Sequence, residues 1–470
     1  SSVSLACGLA KARDLKGGHE NIIAVIGDGS LSGGEAYEGL SNAGEMGTNL
    51  IIVVNDNEMS IAENHGGLYQ NLKELRDTEG RSSCNFFRSL GLDYLYVGEG
   101  NDIPSLVAAF AKVKDTSRPT VVHIHTQKGK GYAPAEADRE EFHWEMPFDL
   151  ETGKPKVDCS GMEDYHSLTG KFLLEKMKED HTVVAISSGT PTVIGFTPER
   201  RKQAGRQFVD VGIAEEHAVA LASGIAAGGG RPVYGVYSTF IQRCYDQLSQ
   251  DLCINGNPAV ITVFMGTVAG MNDVTHLGFF DIPLISNIPN MVYLAPTCSE
   301  EYFAMLEWAV RQTEYPVAIR VPGAAVVHRK EEFDTDYSEL NRYKMTARGE
   351  TVAILALGAF YDLGQALKNK LREESGVEAT LINPRYITGL DEPMLEELKV
   401  GHRIVVTLED GVLDGGFGEK IARYYGNSEM RVLNYGLRKE FADRYNLDEL
   451  MKANRLTDKQ MAEDIAGILE

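Results

Sequence analysis

Gly27-Asp28-Gly29 is followed by Asn57-Glu58-Met59, with the asparagine 29 positions after the aspartate. The intervening residues allow only one simple arrangement. Asn21 to Ile26 (NIIAVI) reads as a buried strand, Ser32 to Met46 as a helix, and Leu50 to Val54 (LIIVV) as the next parallel strand. Asp28 and Asn57 are then expected at the carboxyl ends of neighbouring strands, where open α/β sheets bind ligands. A carboxylate, an amide oxygen and the Met59 carbonyl are hard oxygen donors suited to Mg²⁺. Gly29, followed by Ser30, lets the backbone approach an anion, and a helix start favours negative charge. The ligand this suggests is a metal-bound diphosphate. The alternative is a pair of ordinary strand-end turns.

The chain has 470 residues, 43% of them apolar, enough for several buried cores. Its formal net charge of -22 argues against nucleic acid or an anionic membrane surface as a partner. No run of about 18 apolar residues is present, so no membrane span is expected. Cys7, Cys84, Cys159, Cys244, Cys253 and Cys298 are scattered without CxxC pairs. They read as reduced and mostly buried, in an acidic cytoplasmic enzyme. Ser1 reads as a helix cap, Val3 to Leu15 as an amphipathic helix, and the chain opens inside what looks like a domain.

Three α/β regions are expected: 1–155, 163–323 and 345–470. In the first, a helix near Ile103–Val113 and a strand at Pro119–His125 lead into Lys128-Gly129-Lys130-Gly131-Tyr132 and on to Phe142-His143-Trp144. A Gly-, Lys-, Asp- and Pro-rich linker spans Glu151 to Met162. The second region has strands at Val183–Ser187, Phe208–Val211, Val233–Val236, Ala259–Phe264, Val292–Ala295 and Val317–Val321. Its helices include Glu216–Ala227 and Ile241–Asn255. After a charged, irregular stretch, the third has strands near Val352–Leu357, Glu378–Ile382, Ile404–Thr407 and Arg431–Leu433.

The GDG and Asn spacing resembles the thiamin diphosphate (ThDP) motif, and the resemblance directs attention to a few side chains. ThDP needs a carboxyl group against N1′ of its aminopyrimidine. Glu215, in Val211-Gly212-Ile213-Ala214-Glu215-Glu216-His217 at a strand-to-helix junction, is the candidate. Burial there is expected to raise its pKa; the alternative is a first-turn glutamate serving the helix dipole. Phe240, beyond the next strand, is a candidate to stack on the aminopyrimidine, with Tyr237 facing substrate. Arg243 either pairs with Asp246 or reaches an anionic substrate. His143 and His276 are candidate proton shuttles or substrate ligands in polar loops. Lys128 is either a diphosphate or substrate ligand, or a solvated loop lysine.

Taken together, IGDGSLSGGEAYEGLSNAGE, VNDNEMSIAEN, KGKGYAPAEAD, DVGIAEEHAV, VYSTFIQRCYDQ, THLGFFD and TLEDGVLDGGFGEKIA resemble the 1-deoxy-D-xylulose-5-phosphate (DXP) synthases of the ThDP-dependent transketolase superfamily. The resemblance covers essentially the whole chain. It implies an α/β, three-domain transketolase-like fold with mostly parallel sheets flanked by helices: a diphosphate-binding, a pyrimidine-binding and a C-terminal domain. It implies Mg²⁺ held by Asp28, Asn57 and the Met59 carbonyl, Glu215 as the cofactor-activating acid, Phe240 as the stacking ring and Lys128 near the diphosphate. His143 and His276 would line the substrate channel. Pyruvate would be decarboxylated on ThDP and its two-carbon unit added to an aldehyde, D-glyceraldehyde 3-phosphate, in a homodimer.

Two departures accompany the resemblance. Family members carry a further segment before the stretch matching Ser1, and it supplies histidines to their sites. The family's anchors for the acceptor phosphate do not align either. Phe264-Met265 stands where the family has Asp-Arg, and Val321-Pro322-Gly323 where it has Tyr-Pro-Arg-Gly. Gly270-Met271-Asn272-Asp273 precedes the His276 run. Arg320, Arg243 or an upstream residue are the candidate substitutes for the phosphate anchors, and Asn272 is a further candidate substrate residue. Other readings are ketol transfer of the transketolase type, carboligation to an unphosphorylated aldehyde, and a non-catalytic assembly or regulatory chain that keeps the fold.

Overall fold

The computed structural model describes residues 1–157, 161–323 and 325–469, so Cys159 lies outside the described residues. The chain forms two compact units. One contains residues 1–162, 188–191 and 210–215; the other contains 163–187, 192–209 and 216–470.

The first unit holds a four-stranded sheet. Its strands are β1 (Ile23–Gly27), β2 (Ile51–Asp56), β3 (Asp93–Val97) and β4 (Thr120–His125), in the order β1-β2-β4-β3. All its pairs are parallel, and Gly27 lies opposite Asn55. A parallel sheet must be covered on both faces. On one face, Ala24, Ile26, Ile52 and Val54 pack with residues of the helices Ser2–Leu15 and Gly34–Glu45. On the other, Ile51, Val53, Val122 and Ile124 pack with Ala109 and Val113 of the helix Ile103–Val113. Strand β3 is absent from the sequence expectation. Its DYLYV run is only partly buried, at the sheet edge, and lacks a continuous apolar signal.

The second unit holds two sheets. The six-stranded one comprises β5 (Val183–Ser187), β6 (Phe208–Asp210), β7 (Arg231–Tyr237), β8 (Val260–Phe264), β9 (Val292–Leu294) and β10 (Val317–Arg320). Its order is β6-β5-β7-β8-β10-β9. The five-stranded one comprises β11 (Lys344–Ala347), β12 (Thr351–Ala356), β13 (Thr380–Asn383), β14 (His402–Val412) and β15 (Arg431–Leu437), ordered β11-β13-β12-β14-β15. Only β11 runs antiparallel among the registered pairs of this sheet. The architecture is thus α/β with mostly parallel sheets, as expected.

One expected helix is different in kind. Ile241–Asn255 is a 3₁₀ turn, Ile241–Cys244, followed by a π-helix, Gln247–Cys253. Ile254 N–H donates to the Ser249 carbonyl at 3.0 Å, five residues back. Apolar periodicity cannot distinguish this widened turn from an α-helix.

No helix among the described residues is long and apolar enough to cross a membrane. Cys7, Cys244, Cys253 and Cys298 are buried free thiols, and Cys84 is exposed.

The helix Gly34–Glu45 leads out of the GDG turn and packs backbone to backbone. A Cβ on Gly44 would lie 1.9 Å from the Leu90 carbonyl oxygen. We expect Gly44→Ala to cost about 1–3 kcal/mol in denaturant unfolding, because the contacting atom is backbone and cannot rotate away.

Candidate active site

In the first unit, the β1 and β2 ends place Asp28 and Asn57 as the sequence spacing requires. Asp28 N–H donates to the Asn55 carbonyl at 3.1 Å, joining the two strand ends. A 3₁₀ turn, Gly29–Ser32, intervenes before the helix that begins at Gly34. A Cβ on Gly29 would sit 2.9 Å from the Ser60 Cβ, so only glycine lets these two loops touch. Ser32 Oγ donates to the Gly29 carbonyl at 2.7 Å, which fixes the turn; Ser30 is exposed.

The Asn57 loop is shaped by its own side chains. Asn57 Oδ1 accepts from Met59 N–H at 3.1 Å, and Asp56 Oδ1 from Glu58 N–H at 3.1 Å. Glu58 adopts a left-handed φ of 67°. Met59 and Glu63 form an antiparallel bridge across the turn.

Charge is distributed unevenly between two neighbouring carboxylates. Buried Asp56 receives Arg76 at 2.5 Å and His123 Nε2 at 2.9 Å, and Tyr94 OH meets His123 Nδ1 at 2.7 Å. Burial works against the Asp56 anion, yet the His123 hydrogen bond and the Arg76 charge hold its pKa below the ordinary range. Asp28 is only 1% exposed, and the side chain hydrogen-bonded to it is neutral: Asn64 Nδ2 donates at 2.6 Å. Burial first, and the Asp56 charge second, push the Asp28 carboxyl up to about 6.

These residues fit a metal-bound diphosphate. Asp28 is buried with an amide, not a cation, bonded to its carboxylate, Lys128 acts on it only through space, and the buried Ser60 Oγ and Asn64 Oδ1 make no hydrogen bond. Among the described residues no cluster of three His, Cys, Asp or Glu side chains forms a metal site. One carboxylate, one amide and a backbone carbonyl suit Mg²⁺ and would leave coordination positions for phosphate oxygens and water.

Three further candidates lie in the same unit. Lys128 Nζ donates to the carbonyls of Ser60 at 2.7 Å and Ile61 at 3.3 Å, so it braces the loop beyond Met59. Lys128 is therefore not a solvated loop lysine, and burial lowers its pKa. His143 lies in the electrostatic field of Lys128. Partial desolvation and that charge pull its pKa down. Tyr132, Phe142 and Phe148 pack edge-to-face or tilted at 5.4–5.8 Å and hold the His143 loop. Glu215 opens the helix Glu215–Ala227 and is 3% exposed. Its turn is gathered by Asp210, whose Oδ1 accepts from Gly189 N–H at 2.9 Å and Gly212 N–H at 2.8 Å. Gly212 has φ 72°, and a Cβ there would lie 3.0 Å from Ser32 Oγ.

In the second unit, Tyr237, Phe240 and His276 come together. The Tyr237 and Phe240 rings lie 5.7 Å apart, and those of Phe240 and His276 5.6 Å apart. His276 Nδ1 meets Asp273 Oδ1 at 3.0 Å. Hydrogen bonds from Thr275 and then His276 hold Asp273 down to about 2, so it stays ionised and keeps the Nδ1 proton in place.

Three proposed substrate ligands are committed elsewhere. Arg320 is 5% exposed. It donates to Asp281 at 2.7 and 3.1 Å and to the Asp410 carbonyl at 2.5 Å. It is a sealed structural cation, not an acceptor ligand. Arg243 pairs with Glu216 at 3.4 Å. Asn272 Nδ2 donates to the Tyr445 carbonyl at 3.0 Å.

Sequence reasoning missed Asn64, Tyr69 and the Asp56–Arg76–His123 network. Tyr69 OH donates to the Asp28 and Gly29 carbonyls at 3.1 and 3.2 Å. The acidic and amide residues of NDNEMSIAEN were the available signal for Asn64; nothing local marks Tyr69.

A parallel α/β sheet bearing a buried aspartate, an amide and a glycine turn at two adjacent strand ends suits a protein that binds a metal-held diphosphate. The sequence profile described as 1-deoxy-D-xylulose-5-phosphate synthase matches residues 1–85. Those described as the transketolase pyrimidine-binding and C-terminal domains match 163–326 and 342–461. A protein named 1-deoxy-D-xylulose-5-phosphate synthase from Clostridium tetani is 34% identical, over 100% of this chain and 81% of its own length. One of the same name from Clostridium beijerinckii is 35% identical over 97% and 79%. A Pichia stipitis transketolase in complex with sedoheptulose 7-phosphate shares the fold, with a TM-score of 0.55 and 16% identity over 99% of this chain and 79% of that one. The chain belongs to the 1-deoxy-D-xylulose-5-phosphate synthase family, a group of ThDP-dependent transferases.

Two expectations follow. Because the Asp28 carboxyl titrates above the ~3.9 of an unfolded chain, its anion destabilises the cofactor-free fold. The penalty is absent below about pH 4 and complete above about pH 6. Asp28→Asn should therefore raise the cofactor-free melting temperature at pH 7.5, by the equivalent of about 1–3 kcal/mol. It should also remove the further rise that Mg²⁺ and ThDP give the parent. Scanning calorimetry of both forms is the check. Second, Arg320→Met leaves Asp281 buried and unpaired and should cost about 3–5 kcal/mol, whereas Arg320→Met with Asp281→Leu should recover much of the loss. Urea unfolding of the cycle reads this directly.

Proposed function

We propose that this protein is a ThDP- and Mg²⁺-dependent carboligase that decarboxylates pyruvate and adds the two-carbon unit to D-glyceraldehyde 3-phosphate, giving 1-deoxy-D-xylulose 5-phosphate. The observation that carries the proposal is Asp28, buried with an amide, not a cation, bonded to its carboxylate beside Asn57 and the Met59 turn, with buried Glu215 in the same unit. Residues 1–155, 163–323 and 345–470 serve as diphosphate-binding, pyrimidine-binding and C-terminal domains.

Asp28, Asn57 Oδ1 and the Met59 carbonyl would hold Mg²⁺. Gly29 and Ser30 would present backbone to the diphosphate, and Lys128 would keep the Ser60–Ile61 loop against it. When bound, ThDP supplies an acidic carbon and an electron sink for the decarboxylation. Glu215 holds a proton against the aminopyrimidine ring, and Phe240 provides a flat face for that ring. His276, oriented by ionised Asp273, and His143, whose pKa is lowered by burial and then by the Lys128 charge, would move protons on the substrates. Tyr237, packed on Phe240, would face the substrate. We read the active form as a cytoplasmic homodimer, a reading supported by the family resemblance and by the free thiols.

A second reading keeps the donor and changes the acceptor to an unphosphorylated aldehyde. The sealing of Arg320 by Asp281 and the pairing of Arg243 with Glu216 favour it. Pyruvate decarboxylation, measured with and without glyceraldehyde 3-phosphate, separates the two. Stimulated CO₂ release with DXP as product supports the first reading, and CO₂ release indifferent to that aldehyde supports the second. No CO₂ with pyruvate overturns both and leaves ketol transfer or a non-catalytic chain.

For Glu215→Gln we expect ThDP binding to persist while exchange of the cofactor C2 proton slows by about 10²-fold or more. Proton NMR of the bound cofactor in D₂O measures it, and parental exchange rates would remove Glu215 from this role.

A further inference from the structure

The loop Met265–His276 follows β8 of the six-stranded sheet, yet most of its anchors belong to the five-stranded sheet. Val268, Leu277 and Phe279 are at most 2% exposed and lie in one apolar cluster with Val352, Ile354, Leu408, Tyr435 and Leu437. Val268 N–H donates to Asp410 Oδ1 at 2.8 Å. The segment Asp443-Arg444-Tyr445 supplies the rest. Tyr445 OH donates to the Val268 carbonyl at 2.7 Å. Arg444 N–H donates to the Asn272 carbonyl at 2.6 Å, and Asn272 Nδ2 returns a bond to the Tyr445 carbonyl at 3.0 Å. Asp443 Oδ1 accepts from Val274 N–H at 3.1 Å.

Within the loop the bonds are short-range. Thr267 N–H reaches Met265 O at 2.9 Å, and His276 N–H reaches Asp273 O at 3.0 Å. One further tie comes from Thr239 Oγ1 to the Thr275 carbonyl at 3.1 Å. Arg444 holds a left-handed φ of 46°, uncommon for arginine. Bonds on both of its neighbours keep it there. A non-glycine residue held in that region by its surroundings is where a structure stores positional constraint.

We propose that Asp443–Tyr445 is a positioning strap that sets the His276 loop for the acceptor step. The strap touches no reacting atom. It fixes residues 268–274, and through Val274 the Asp273–Thr275–His276 turn whose carboxylate orients the imidazole. The proposal rests on the reading of His276 as a substrate-side residue. Cofactor binding draws chiefly on Asp28 and Asn57, which lie in the other unit, and Phe240 is not among the residues the strap bonds, so the strap should act on the acceptor and leave ThDP affinity alone.

The test compares Tyr445→Phe, Asp443→Ala, their double variant and His276→Ala in the protein loaded with Mg²⁺ and ThDP. Tyr445→Phe keeps the ring in its apolar cluster and removes only the hydroxyl. We expect the double variant to raise KM for the aldehyde roughly five- to tenfold, the scale of two lost hydrogen bonds. ThDP affinity should stay within about twofold, with faster amide exchange confined to residues 266–276. If the double variant does not fold, Tyr445→Phe alone must show the same split in smaller measure. Parental acceptor KM and exchange in folded strap variants, alongside an impaired His276→Ala, would overturn the strap and leave the site reading standing. Parental kinetics in His276→Ala would overturn both.

Discussion

Much of the first unit follows from how it treats two carboxylates at adjacent strand ends. Asp28 and Asp56 feel each other's charge, and both are buried. Asp56 receives Arg76 directly and a hydrogen bond with His123 of the adjoining strand. Tyr94 then fixes the His123 ring, and Arg76 also reaches Glu58 at 3.4 Å. That network rigidifies the β2 end and sets the Asn57 loop. Asp28 receives only amide and backbone donors. Placing a carboxylate in low dielectric with no cation bonded to it, and only Lys128 acting on it through space, is unfavourable unless a ligand brings further charge. The same loops expose one amide oxygen and one turn beside it. A Mg²⁺ ion carrying a diphosphate would resolve the imbalance in one binding event, and such binding stabilises the folded state by mass action.

The second unit applies the opposite rule. Arg320 ends β10 and is surrounded by Asp281, Tyr293 and the Asp410 backbone, all buried. Here Arg320 and Asp281 pair directly within the fold. A buried guanidinium whose Nε and Nη2 are already occupied cannot clamp a phosphate through them without losing those bonds. The same residue type, at a strand end beside candidate site residues, is therefore structural. The distinction lies in its partners, which are 39 and 90 positions away in sequence.

That separation explains what could be read in advance. Asp28, Asn57 and Met59 were legible because one strand–helix–strand unit fixes their spacing, and strand periodicity is a short-range signal. Most parallel strands were legible as apolar runs, since burial on both faces leaves little alternation. Strand β3 was not, being a half-buried edge with tyrosines where valines would announce it. Strand β11 was not either, because KMTA sits in a charged stretch and pairs antiparallel with β13. The commitments of Arg320, Arg243 and Asn272 were illegible for a different reason. Each residue type suits phosphate, and only long-range packing reveals that its donors are already used.

The positive-φ residues sharpen this contrast. Glu58, Met265 and Arg444 have φ values of 67°, 56° and 46°, and all three lie in or against loops that carry candidate site residues. Side-chain acceptors or neighbouring amides surround each one. Glu58 is turned by Asp56 Oδ1, and Met265 accepts from Thr267 N–H. Such backbone costs of order 1–3 kcal/mol persist only where the surroundings over-determine them. Here the determinants are a buried ion network in one unit and a strap from a distant segment in the other. Both are devices that hold a loop in one geometry more firmly than its own sequence would. The chemistry needs that rigidity, because a carboxylate, an amide oxygen and an imidazole serve a cofactor and its substrates only when their positions are set before anything binds.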